Sequence, residues 1–152
     1  MGNIPAMDNK VNLNPPYPIQ SYIIKSLHKS ERMRFKVIGK SMRPLIQRGD
    51  WVLIQQFSDS IQPKIGDIVL IKKSETFLVH RIIQMSNKFL ITQGDWSRTI
   101  DPPNQPDDIL GKVVMIEKKN FKINLMNPIS HILNQMVFKL LKFINLVQKR
   151  KK

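Results

Sequence analysis

Along the 152-residue chain the spacing of apolar positions changes twice. In residues 19–32, IQSYIIKSLHKSER, the positions Ile19, Tyr22, Ile23, Ile24 and Leu27 come close to helical spacing and predict a short helix. From Phe35 to Glu117 the pattern shifts to short runs rich in Val, Ile and Leu, broken by Gly-Asp, Pro and Asn. These predict strands near 35–38, 51–56, 67–72, 76–84, 88–93 and 110–117. Beyond them, Asn127 and Pro128 read as an N-cap and first helical residue. Ile129, Ile132, Leu133, Met136, Val137, Leu140, Leu141, Ile144 and Val147 then keep three-and-four spacing. The expected fold is mostly β, an antiparallel domain followed by a C-terminal amphipathic helix. Its parts are an N-terminal extension with the short helix (1–34), a β-domain (35–117) and a basic amphipathic helix with its tail (118–152).

The ends of the chain sharpen this picture. The opening MGNIPAMDNKVNLNPPYPIQ lacks a basic stretch followed by an apolar core, so it does not read as a secretory signal, and its prolines predict an extended or disordered start. In the C-terminal helix, His131, Asn134, Gln135, Lys139, Lys142, Asn145 and Gln148 occupy the face opposite the apolar stripe. That is too much polarity for a bilayer-spanning helix. Phe138 falls among these polar residues and has no place in the pattern. Two resting places stay open for the stripe: the β-domain's own core, which suits a cytoplasmic protein, or the plane of a membrane, which suits a peripheral one.

Composition narrows the chemistry. A hydrophobic fraction of 41% and a charged fraction of 24% are those of a folded chain, here the size of one domain. With no cysteine, disulfide scaffolds, thiolate zinc sites and cysteine nucleophiles are excluded. His28, His80 and His131 are far apart without metal-ligand spacing, so neither metal nor cofactor is expected. Lys and Arg number 25 against 11 acids, a net charge of +14, and after Asp108 the only acid is Glu117. The closing Lys149-Arg150-Lys151-Lys152 is where a polyanion would bind, anionic membrane being favoured over nucleic acid; a merely solvated basic face fits the charge equally.

Gly-Asp occurs as Gly49-Asp50, Gly66-Asp67 and Gly94-Asp95, which reads as repeated turn chemistry at strand ends. That also accounts for Arg48-Gly49-Asp50 without invoking cell adhesion. The stretch VIGKSMRPLIQRGD places a lone serine, Ser41, between Gly39-Lys40 and Met42-Arg43-Pro44, where the chain must bend. A serine hydroxyl becomes nucleophilic only with a base beside it, itself usually oriented by a third group. His80, in the strand FLVHRII, is the candidate: an imidazole among apolar residues is costly unless partnered. The ordinary imidazole pKa of about 6.5 suits general-base work near neutrality. Lys40 is a poor base for Ser41, because neighbouring side chains of an extended segment point to opposite faces.

The segments VIGKSMRPLIQRGDWVLI, KIGDIVLI, FLVHRII, LITQGDWSRTID and ILGKVV, in that order, resemble the signal peptidase I superfamily over roughly residues 35–117. In that family a turn of the form x-S-M-x-P carries the nucleophile, a G-D-I-V strand follows, and the base precedes an arginine on a later strand. Histidine at that place is the endoplasmic-reticulum and archaeal type; most bacterial members have lysine. The resemblance implies a signal-peptidase-like β-domain in which Ser41 is the nucleophile, His80 the general base and Asp101 its orienter, with Asp95 the alternative. It further implies that the Ser41 backbone N–H serves the oxyanion, that Gly39 lets the substrate chain approach, and that Met42 and Pro44 fix the turn. The implied substrate is a peptide or preprotein with small residues before the cleavage point.

This chain departs from that pattern in three respects. Gly39 stands where many signal peptidases have a second serine, no membrane-spanning helix precedes the turn, and the Gly-Asp segment reads Gly94-Asp95-Trp96-Ser97-Arg98-Thr99-Ile100-Asp101. The related self-cleaving repressor peptidases share the glycine but use lysine as base. The expected function is a serine endopeptidase removing a signal or leader peptide. The alternative is a catalytically silent basic β-domain that binds anionic membrane or nucleic acid, which would have no need of Ser41, His80 and Asp101 together.

Overall fold

The apolar runs become strands because each has neighbours to cover it. In chain order the elements are α1 (Tyr17–Ser30), β1 (Arg32–Lys36), β2 (Trp51–Gln56), β3 (Ile68–Lys72), β4 (Phe77–Met85), β5 (Leu90–Gln93), β6 (Ile109–Glu117), β7 (Lys122–Asn124) and α2 (Pro128–Lys149), with a 3-10 turn at Pro106–Asp108. The computed structural model describes residues 17–74 and 76–149. All strand pairs are antiparallel, and the sheet runs β1-β2-β6-β3-β4-β5, with β7 added to β6. The fold is therefore the mostly β domain with a C-terminal helix that the pattern predicts. Strand β3 reads IVLIK and is buried at four successive positions, as a central strand covered on both faces must be.

The main core gathers Phe35, Ile46, Val52, Ile54, Leu70 and Phe77 with Ile23 and Leu27 from α1. Phe35 and Phe77 meet edge to face at 6.1 Å between ring centroids, a favourable aromatic geometry. The helix predicted over 19–32 runs Tyr17–Ser30 and buries this one stripe against the sheet.

Gly49 and Gly66 take positive φ of 95° and 93°, and each is followed by an aspartate that closes its turn. The Asp50 carboxylate accepts from the Gln47 N–H at 2.7 Å, and that of Asp67 accepts from the Lys64 N–H at 2.9 Å. Gly94-Asp95 also sits in a turn at a strand end, where the Ser97 N–H donates to the Gly94 carbonyl at 2.9 Å. Repeated turn chemistry thus holds for all three Gly-Asp pairs, although Asp95 does not close its own turn and belongs to the site described below.

One predicted strand is displaced, and one observed strand is not predicted by the pattern. The first strand lies at Arg32–Lys36 instead of 35–38, because Arg32 and Arg34 are exposed rungs of an edge strand whose apolar content is low. After Lys36 the chain leaves the sheet toward Ser41. Strand β7, Lys-Ile-Asn, is too short and polar to show as an apolar run.

Helix α2 begins as expected, with the Asn127 Oδ1 capping the Ile129 N–H at 2.9 Å. Its apolar stripe, however, does not pack on the β-domain's core. Asn134 is buried, whereas Ile129, Ile132, Leu133, Met136, Leu140 and Phe143 are each more than half exposed. No helix among the described residues is long and apolar enough to cross a membrane.

Candidate active site

The bend after β1 is pinned from beneath. Met42 and Ile46 are buried in the main core, and the Ile46 N–H donates to the Met42 carbonyl at 3.0 Å. From the other side, the Trp96 N–H donates to the Ser41 carbonyl at 2.7 Å. Ser41 is thereby held at the end of an exposed segment, Ile38-Gly39-Lys40, while Pro44 sits exposed on the far side of the turn. A Cβ built on Gly39 would meet nothing within 4 Å, so the space in front of this segment is open to an approaching chain.

His80 lies in the middle of β4, opposite Val69 of β3, and is largely buried. Its Nε2 is 2.9 Å from Ser41 Oγ, and its Nδ1 is 2.6 Å from Asp101 Oδ2. Because the serine hydroxyl can donate only to an unprotonated ring nitrogen, this geometry fits the tautomer with the proton on Nδ1, donated to the carboxylate. The loop bearing Asp101 is tied back to β5 by its own N–H, which donates to the Thr92 carbonyl at 3.0 Å. The Thr92 hydroxyl donates to the same Oδ2 at 2.6 Å. Behind it, the Asn104 amide donates to Thr92 Oγ1 at 3.1 Å, and Lys73 Nζ donates to Asn104 Oδ1 at 2.5 Å. One polar chain thus runs from Lys73 to Ser41, with Thr92 and Asn104 fully buried.

Burial pushes the Asp101 carboxyl upward, but hydrogen bonds from His80 and Thr92 and the charges of His80 and Lys73 outweigh it. The group is held below its ordinary value of 3.8. A depressed carboxylate stabilises the folded state above its unfolded pKa and ceases to do so as pH falls through the folded value. Wild type should therefore exceed an Asp101→Asn variant in stability at neutral pH. That margin should shrink in urea titrations as pH falls below the ordinary carboxyl value; a constant margin across this range would contradict the depressed pKa.

Asp95, the alternative orienter, is engaged elsewhere. Its two oxygens accept from Arg81 Nε and Nη2 at 2.7 and 2.6 Å. Arg81 Nη1 donates to the Gly66 carbonyl at 2.8 Å and to Asn134 Oδ1 of α2 at 2.7 Å. The guanidinium also lies 5.4 Å from the Phe138 ring centroid, the place that the helical pattern failed to give Phe138. Neighbours on a strand point to opposite sides of the sheet, so His80 and Arg81 each take a different aspartate.

Sequence reasoning missed Thr92, Asn104 and Lys73, which are polar residues with no motif of their own. It also gave Gly94 only a turn role. A Cβ there would meet Ser41 Cβ and Ser41 O at 2.7 Å each and His80 Nε2 at 3.1 Å. The loop after β5 can approach the Ser41–His80 pair only with glycine at this position. We expect Gly94→Ala to displace Ser41 and lower serine reactivity by about 10²-fold, the scale of an ångström-sized misplacement. An unchanged rate would mean that the loop yields instead.

Among the described residues no group of three or more His, Asp or Glu side chains could hold a metal ion. The search of curated proteins found no match. The family model described as Peptidase S24-like matches residues 3–114, well over half of the chain. With that match, the chain belongs to the Peptidase S24-like family of serine peptidases, within the superfamily that also holds the signal peptidases.

Proposed function

We propose that this chain is a histidine-base serine endopeptidase that removes a signal or leader peptide with small residues before the cleavage point. The hydrogen-bonded series Ser41–His80–Asp101 supports the reading above all else, because it supplies nucleophile, base and orienter in contact. A purely binding β-domain gains nothing from a buried imidazole suspended between a hydroxyl and a carboxylate.

The substrate enters as an extended strand along Ile38-Gly39-Lys40, where the open space in front of Gly39 lets its backbone come close. Ser41 Oγ attacks the scissile carbonyl carbon while His80 Nε2 takes the hydroxyl proton. The oxyanion is received by the Ser41 backbone N–H. His80 then gives its proton to the departing amine, leaving an acyl-enzyme on Ser41. Water attacks that ester with His80 again as base, His80 returns the proton to Ser41 Oγ as the ester C–O bond breaks, and the acid product leaves. Throughout, Asp101 holds the Nδ1 proton and stabilises the transient imidazolium, itself fixed by Thr92.

The test is cleavage of a synthetic leader peptide with alanine before the scissile bond, followed by mass spectrometry. Wild type should cut it once, and Ser41→Ala should leave it intact. Cutting by Ser41→Ala would refute the assignment. Cleavage of the chain's own polypeptide in place of the added peptide would instead move the reading to self-processing.

A further inference from the structure

We infer that α2 is an in-plane docking element for an anionic membrane surface, seated on the protein by its polar face and presenting its apolar face to lipid. An amphipathic helix of a globular protein ordinarily turns its apolar stripe inward. Here the inward contacts are the buried Asn134 on Arg81, Phe138 beneath the same guanidinium, and Gln135, which fills the space that a side chain at Gly66 would need. At about 100° per residue, the exposed apolar positions from Ile129 to Val147 fall within an arc of about 120°, centred opposite Phe138. The exposed stripe spans Ile129 to Val147 and so runs for about 27 Å, longer than an isolated surface patch.

Charge decides what covers this face. From Pro128 to the end the chain carries Lys139, Lys142, Lys149, Arg150, Lys151 and Lys152 and no acidic residue. A second copy would bring two such cationic segments together, apolar face to apolar face, and their repulsion disfavours self-association. Nucleic acid would satisfy the lysines but leave the apolar arc in water. An anionic bilayer meets both requirements, since acyl chains receive the stripe while headgroups receive the lysines. The docked face also fixes the orientation of the peptidase domain, because Arg81, which holds the helix, immediately follows His80 on β4.

Sedimentation of the full chain with phosphatidylglycerol-containing vesicles and with pure phosphatidylcholine vesicles tests this directly. Binding should favour the anionic vesicles and weaken without vanishing in high salt. It should fall about fivefold for each of the four terminal basic residues replaced by glutamine. The doubly substituted Leu133→Glu, Leu140→Glu chain changes only exposed positions, so it should fold normally by circular dichroism yet lose vesicle binding. No sedimentation of the intact chain with anionic vesicles, or undiminished binding by the double variant, would overturn the proposal. So would a concentration-dependent dimer abolished by the same double variant, which would make a second copy the occupant, or DNA binding without vesicle binding.

Discussion

Replacing His80 with alanine should leave a folded β-domain whose peptide cleavage has dropped by about 10⁶-fold, the loss expected when the base of a serine nucleophile is removed. His80 touches both Ser41 and Asp101, so the variant at once strips Ser41 of its proton acceptor and Asp101 of its charge partner. Asp101→Asn should be milder, about 10⁴-fold, because the imidazole remains but the amide can stabilise the wrong tautomer. Single-turnover kinetics on the leader peptide would check the order. Retained activity without His80 would remove this base from the mechanism, and a larger loss at Asp101 than at His80 would overturn the predicted order.

The second large effect is on stability. Arg81 and Asp95 form an ion pair with side chains 0% and 3% exposed, so truncating either leaves a charge in a dry interior. Asp95→Ala should cost about 3–5 kcal/mol in urea unfolding. Pairing Arg81→Met with Asp95→Leu should recover much of that loss, since neither charge then remains. A single variant as stable as wild type would show that water reaches the site. Asp95→Asn is consequently a fold variant more than a catalytic one, and a loss of activity in it would not transfer the orienting role from Asp101.

Much of this was readable in the residues, and the unreadable part has a physical reason. Strands appear as runs such as IVLIK because burial on both faces demands them, and two Gly-Asp turns appear because positive φ and a carboxylate acceptor are local needs. Ser41 and His80 stand out because each is chemically anomalous where it sits. Asp95 and Asp101 lie six residues apart in one segment, and their roles depend on which side of β4 each loop atom reaches, which no local pattern encodes. One of the partners of Arg81, Asn134, is 53 residues away in the chain. The stripe of α2 was equally plain in the sequence, but a helical pattern defines two faces without saying which turns inward. Three polar-side residues, Asn134, Gln135 and Phe138, settle that through contacts with Arg81 and Gly66.

An activated serine reacts with a fluorophosphonate, so labelling tests whether Ser41 is one. The native chain should acquire one phosphonyl group, located on Ser41 by peptide mass spectrometry, and both Ser41→Ala and His80→Ala should remain unlabelled. A folded native chain that stays unmodified, or one labelled equally well without His80, would contradict activation of Ser41 by His80.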